Sequence, residues 1–266
     1  MAKTKVLITV KTYPVPSRKY DELVCTAGFR EDGSWIRIYP VQYRQKPFDQ
    51  QYGKFDWIEI DLVKNTSDFR PESYRADLDA EIQILGHMGT NDNWQARKEI
   101  ALKNVYHDLT ELIDEAKSEK GTSLATFKPT EILDFKIAKE TAEWDPKKIS
   151  ELNLFNCTDE KGKFEIVKKV PYKFSYTFKD VKGKESTLMI EDWEIGKLYW
   201  NCLAKHNGDE SKALEDVKQK YFNNFVKVCD LHLFLGTTKE FHNVAPNPFI
   251  IIGVFYPKKE TQARLF

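Results

Sequence analysis

The sequence predicts an α+β protein. Residues 1–140 read as a barrel-like β part with a helical middle, and residues 141–266 as a smaller α+β part ending in an exposed peptide tail. A PUA-like barrel is one form the first part could take. Three observations carry this. Short apolar runs alternate and are cut by Gly and Pro up to about Gly86, the period then becomes helical over residues 91–120, and strand and helix patterns mix after that.

The elements follow in order. "KVLITVKTY" (5–13) alternates and stops at Pro14 and Pro16. "ELVCTAGF" (22–29) and "WIRIYP" (35–40) flank the polar turn "REDGS" containing Gly33, a hairpin signal. "FDWIEIDLV" (55–63) and "AEIQILG" (80–86) add two strands. Trp94, Ile100, Leu102, Val105, Leu109, Leu112 and Ile113 then recur near helical spacing, with Asn91 or Asn93 as cap, Gly121 past the end and a break near Tyr106-His107-Asp108. "SLATFKPTEILDFKIA" (123–138) returns to strand character and is placed back against the first sheet.

"EWDPKKISELN" (143–153) reads as a linker with a short helix after Pro146. A hairpin follows, with Tyr172, Phe174, Tyr176 and Phe178 on one face and Gly183 in the turn. Helices are expected over about 192–206 and, capped by Asp209 or Ser211, over 209–226. "DLHLFLGT" (230–237) and the almost wholly apolar "PFIIIGVFYP" (248–257) close the fold, the latter as a central strand covered on both faces.

Composition narrows the function. The 266 residues are 41% hydrophobic and 13% aromatic, which is a folded chain and not a disordered one. Lys and Arg number 41, as do Asp and Glu, so overall charge gives no reason for nucleic-acid binding and any basic surface must be local. No apolar run approaches a membrane span, and "MAKTKVLITVKTYPVP" is a poor signal peptide. The four Cys are widely spaced without a C-x-x-C, as reduced cytoplasmic thiols would be, and suggest no metal site. Walker, dinucleotide, G-x-S-x-G and H-E-x-x-H motifs are missing.

Four stretches carry candidate chemistry. "GSWIRIYPVQYRQKPF" (33–48) interleaves Trp35, Tyr39 and Tyr43 with Arg37, Arg44 and Lys46 and contains no acid, and Arg18, Lys19, Arg70 and Arg75 lie near in sequence. Cations for phosphate beside rings for bases are what a nucleic-acid groove needs. Strand parity puts Trp35, Arg37 and Tyr39 on one face, expected outward, and Ile36 and Ile38 on the other, in the core. Such rings would equally suit a flipped or modified base.

"MIEDWEIGKLYW" (189–200) groups Glu191, Asp192 and Glu194 with Lys197 where a strand enters a helix, Asp192, Glu194 and Lys197 being the catalytic candidates. As catalytic residues they would hold Mg²⁺ in a nuclease, with Lys197 near the phosphate, or serve base excision. The plain alternative is an N-cap with acids in a helix's first turn. In "LGTTKEFHN" (235–243), Thr237, Thr238, Lys239 and His242 are candidates for contacting phosphate.

The last five residues, Gln262 to Phe266, read "QARLF". They match the Q-x-x-L-F pattern of peptides that dock on the bacterial sliding clamp. Leu265 and Phe266 would fill an apolar hollow for roughly 3–6 kcal/mol before ordering costs, with the Gln262 amide bonding at its mouth. That resemblance implies a link to replication, repair or phage defence. "VKTYP", "ELVCTAGFREDGSWIRIYP", "MIEDWEIGKLY" and "FIIIGVFYP" are similar to stretches of a widespread, uncharacterised prokaryotic protein family, which implies no activity.

The expectation is therefore a DNA-binding, clamp-linked cytoplasmic factor that hydrolyses DNA as a nuclease or base-excising glycosylase. The alternatives are a non-catalytic reader or adaptor of modified nucleic acid or a protein partner, and a small-molecule sensor. The sequence does not decide whether it is an enzyme.

Overall fold

The computed structural model describes residues 2–17, 21–147, 149 and 166–260. The fold is α+β, and its N-terminal part is a closed barrel. Strands β1 (Ala2–Lys11), β2 (Val15–Ser17), β3 (Asp21–Phe29), β4 (Trp35–Val41), β5 (Asp56–Lys64), β6 (Ser73–Arg75) and β7 (Gln83–His87) form one sheet. Within it β1-β3-β4-β6-β5 closes because β5 also pairs with β1. All barrel pairings are antiparallel except β4–β6, which is parallel. This order and these directions are those of an OB-type Greek-key barrel, which specifies the kind of barrel the sequence left open.

Alternation fills the barrel. Val6, Ile8, Ile36, Ile38, Ile58 and Ile60 meet inside, while Leu7, Val10, Ala27 and Phe29 point outward into a second apolar cluster. A bulge between Ile8 and Val10 shifts the register of β1 against β3. Gly28 permits the close approach there: a Cβ would stand 2.0 Å from the Leu7 carbonyl oxygen.

Helix α1 (Asn91–Ala101) follows. Its first turn is not regular, because Asp92, Asn93 and Trp94 have φ of 48°, 50° and 66°. Asn93 does not cap it. Its amide instead brackets Lys258, donating to the Lys258 carbonyl and accepting from the Lys258 N–H, both at 2.8 Å. After β8 (Val105–Tyr106), Asp108 caps α2 (Leu109–Lys117) at the expected break. Gly121 then takes φ 62° past the end of the helix.

Strand β9 (Leu124–Phe127) does not pair with the first sheet. It pairs with β13 (His232–Thr237) in a four-stranded sheet of order β14-β13-β9-β8, where β14 is Phe249–Phe255. The hairpin β11 (Tyr172–Lys179) and β12 (Glu185–Met189), with Gly183 at φ 76°, joins β10 (Glu131–Lys139) in a three-stranded sheet. Pro146, Lys147 and Ile149 are helical, as the linker reading expects. Helix α3 (Trp193–Lys205) and helix α4 (Glu210–Lys218) are capped by Asp192 and Asp209, and α4 runs through a π turn into α5 (Phe225–Val228).

The four-stranded sheet is covered on both faces. Leu124, Phe234, Ile252 and Phe255 pack on the barrel's outer cluster, while Phe127, Leu233, Leu235 and Ile251 pack on the helices and the β11 hairpin. Two-sided burial, and not a central place, explains the apolar run of β14, which lies at the edge of its sheet. That edge is met by a parallel bridge between Ile190 and Ile251. Among the described residues no helix is long and apolar enough to cross a membrane.

Candidate functional site

The predicted basic-aromatic face does not lie open. The four-stranded sheet covers the outer side of β4, and Arg37 is 2% exposed. Its guanidinium donates to Ser73 and Ser123 hydroxyls (3.3 and 2.7 Å) and to Ser123 and Thr237 carbonyls (3.1 and 3.3 Å). Trp35 packs on Phe29 and Phe234, with ring centres 4.0 and 5.2 Å away. Ile36 and Ile38 do fill the barrel. Parity was thus readable, but what covers the outer face was not.

The remaining candidates there are dispersed. Tyr39 is exposed at 37%. Tyr43 donates to the Tyr52 carbonyl at 2.8 Å, Arg44 pairs with Glu22 at 2.6 Å, and Lys46 donates to the Leu78 and Ala80 carbonyls. In the loop after β13, Thr237 and His242 bond each other at 2.8 Å, and the other ring nitrogen of His242 donates to the Ala116 carbonyl at 2.9 Å. Burial lowers the pKa of His242. The Thr238 hydroxyl accepts from the Phe241 N–H and Lys239 donates to the Ser67 carbonyl, so this loop satisfies itself.

The junction from β12 into α3 joins barrel and C-terminal part. Asp192 caps α3 through the Glu194 N–H at 3.0 Å. It is fully buried and lies 2.8 Å from the Lys54 ammonium, which also reaches Glu194 at 2.9 Å. Burial alone would lower Lys54, but the two carboxylates outweigh it and hold it well above its ordinary range. Burial raises Asp192 despite Lys54, whereas Lys54 brings the more exposed Glu194 below the usual range against its own desolvation. Lys197 is exposed one turn on and makes no ion pair among the described residues.

These carboxylates do not fit a Mg²⁺ site, because an ammonium already occupies the space between them. Among the described residues no group of three His, Cys, Asp or Glu side chains could hold a metal. Beside the pair, Lys11 donates to the Tyr43 hydroxyl (3.1 Å) and the Tyr52 carbonyl (2.9 Å) under the rings of Tyr43 and Trp193. Burial, aided by the nearby Lys54 charge, lowers its pKa to about 8.

Behind the junction lies a cavity of about 190 Å³ lined by Tyr13, Trp144, Tyr172, Lys173, Glu191 and Gly196, among others. Its aromatic side chains are anchored at their polar tips. Tyr13 donates to the Lys168 carbonyl (2.6 Å) and accepts from Trp200 (2.9 Å), Trp144 donates to the Val167 carbonyl (2.8 Å), and Tyr172 donates to Glu210 (2.6 Å). Gly196 lets Tyr13 lie against α3, since a Cβ would stand 2.5 Å from two of its ring atoms. Lys173 and Lys169 at the rim share Glu140, at 2.5 and 3.9 Å. Burial raises the pKa of the half-buried Glu191 against the pull of Lys173, and its carboxyl makes no hydrogen bond among the described residues.

A family model described as "Domain of unknown function (DUF8757)" matches residues 105–266. The chain belongs to this family. Residues 2–103 match a second model, "Domain of unknown function (DUF8758)". A solved structure titled "Structure of murine DNA binding protein bound with ds DNA" is 11% identical, covers 98% of each chain and has a TM-score of 0.33. No curated protein matches the chain.

The cavity is therefore shared: Tyr13 comes from the DUF8758 stretch, and Trp144, Tyr172 and Glu191 from the DUF8757 stretch. Sequence reasoning missed Tyr13, Trp144 and Tyr172 as site residues and grouped Glu191 only with the junction carboxylates. Tyr13, placed before Pro14 and Pro16 at the end of an alternating strand, was the available signal. Gln262, Leu265 and Phe266 lie outside the described residues, as do Arg18 and Lys19.

Proposed function

We propose that this protein binds DNA and holds an unstacked base in the cavity between its barrel and its DUF8757 part, acting as a reader without hydrolysis at Asp192 and Glu194. The observation that carries the reading is a ring-lined cavity with an unpartnered carboxyl in it. Aromatic walls receive any base by stacking, and fixed polar tips lower the ordering cost on binding. Lys169 and Lys173 at the rim supply charge for phosphate. Commitment of Asp192 and Glu194 to Lys54 favours the reader over the nuclease or glycosylase.

Anisotropy of a labelled oligonucleotide tests this. Single-stranded or bulged DNA should bind well above fully paired duplex, with affinity falling as salt rises. Equal binding to all, or none at low salt, would contradict it.

The QARLF tail favours delivery to DNA by a sliding clamp, which would serve replication, repair or phage defence. Clamp pull-down should succeed with the full chain and fail without residues 262–266. Equal retention of both would remove the clamp from the account.

A further inference from the structure

Tyr13, Trp144 and Tyr172 line the seam cavity with ring surface, and Glu191 adds a carboxyl. What that pairing selects rests on the base-capture reading above. The other charges lining the cavity already have partners. Lys173, half exposed at the rim, sits on Glu140, Lys169 bonds Thr141 and faces Glu140, and Asp192 turns to Lys54. The Tyr13 and Tyr172 hydroxyls and the Trp144 N–H donate to the Lys168 carbonyl, Glu210 and the Val167 carbonyl. Glu191 is thus the charge that a ligand meets among the rings.

Two physical effects act in one direction there. An aromatic face attracts a cation through its quadrupole, more strongly where water is excluded. A half-buried carboxylate without a partner is costly, and a cation beside it offsets that cost. A positive ligand also favours the ionised form, so the attraction does not require the empty cavity to hold a charged Glu191. A neutral base gains only stacking from the same walls. A base alkylated on a ring nitrogen keeps its flat faces and carries a positive charge. We propose that the cavity selects cationic, ring-alkylated bases over neutral ones, with Glu191 as the counter-charge.

Methylated isomers separate charge from size. At pH 7 1-methyladenine is cationic, whereas N6-methyladenine has the same heavy atoms and is neutral. 3-Methylcytosine and 5-methylcytosine form a second such pair. Duplexes with one of these four bases, or an abasic site, in a single-nucleotide bulge provide the test, by anisotropy with the full chain at pH 7. Each cationic isomer should bind about tenfold tighter than its neutral partner. Glu191→Gln keeps the shape of the side chain and removes its charge. It should cut the preference to about threefold, the share of the rings alone. Its affinity for the neutral isomers should match the parent's, which also reports an intact fold.

Equal binding of the two isomers by the parent, or an undiminished preference in Glu191→Gln, would overturn the selection for charge while base capture stands. Bulged bases held no better than the abasic site would overturn the underlying reading and this inference with it.

Discussion

Lys54 donates to Asp192 across 138 residues of sequence, at 2.8 Å, with Asp192 fully buried and the Lys54 side chain 9% exposed. One ion pair thus pins the barrel to the N-terminus of α3. Two charges removed from water are tolerable only together, and removing one strands the other.

Lys54→Met should therefore lower the unfolding free energy by about 3–5 kcal/mol, measured by urea titration. Adding Asp192→Asn should recover most of the loss, because Asn still caps the helix and carries no charge. A single variant as stable as the parent would contradict the assignment.

Lys11 gives a pH dependence of known sign. Its folded pKa of about 8 lies below the ordinary 10.5. Below pH 8 both states hold the proton, and the folded state bears the cost of burying it. Between pH 8 and 10.5 the unfolded chain binds more protons, so stability rises with pH. The parent minus Lys11→Met difference in unfolding free energy should grow in the parent's favour by on the order of 2–3 kcal/mol across that window. A flat difference would show that Lys11 is not desolvated.

Arg37 is a structural residue here. Arg37→Met should cost about 2–4 kcal/mol in chemical unfolding, because it removes the buried guanidinium's hydrogen bonds to the Ser73 and Ser123 hydroxyls and to the Ser123 and Thr237 carbonyls. Affinity of the folded protein for single-stranded DNA should be unaltered. A selective loss of binding would restore the open basic face.

Gly196→Ala should push Tyr13 from its place. Overpacking costs about 1–3 kcal/mol, against about 1 kcal/mol gained in helix propensity. Oligonucleotide affinity should drop several-fold while helicity by circular dichroism holds. Unchanged affinity would mean that the ring does not contact the ligand.

Local features of this fold were legible, and long-range ones were not. Alternation through Val6 and Ile8 marked the barrel strand, and the hairpins at Gly33 and Gly183, the break near Asp108 and the caps at Asp192 and Asp209 all formed. Each depends on residues a few positions apart. Burial of Arg37 depends on Thr237, 200 residues away, and the cavity depends on Tyr13 meeting Trp144 and Glu191. No local period reports such meetings. Apolarity of β14 showed two covered faces but not its position in the sheet, because burial and strand order are separate facts.

The most direct measurement is the affinity of the parent and of Trp144→Ala for a duplex carrying one bulged adenine. Stacking on an aromatic side chain contributes about 1–3 kcal/mol per base, so the variant should bind about tenfold or more weakly while unfolding at the parent's temperature. Equal affinities for a parent that does bind would show that the base lodges elsewhere, and the seam cavity would lose its role.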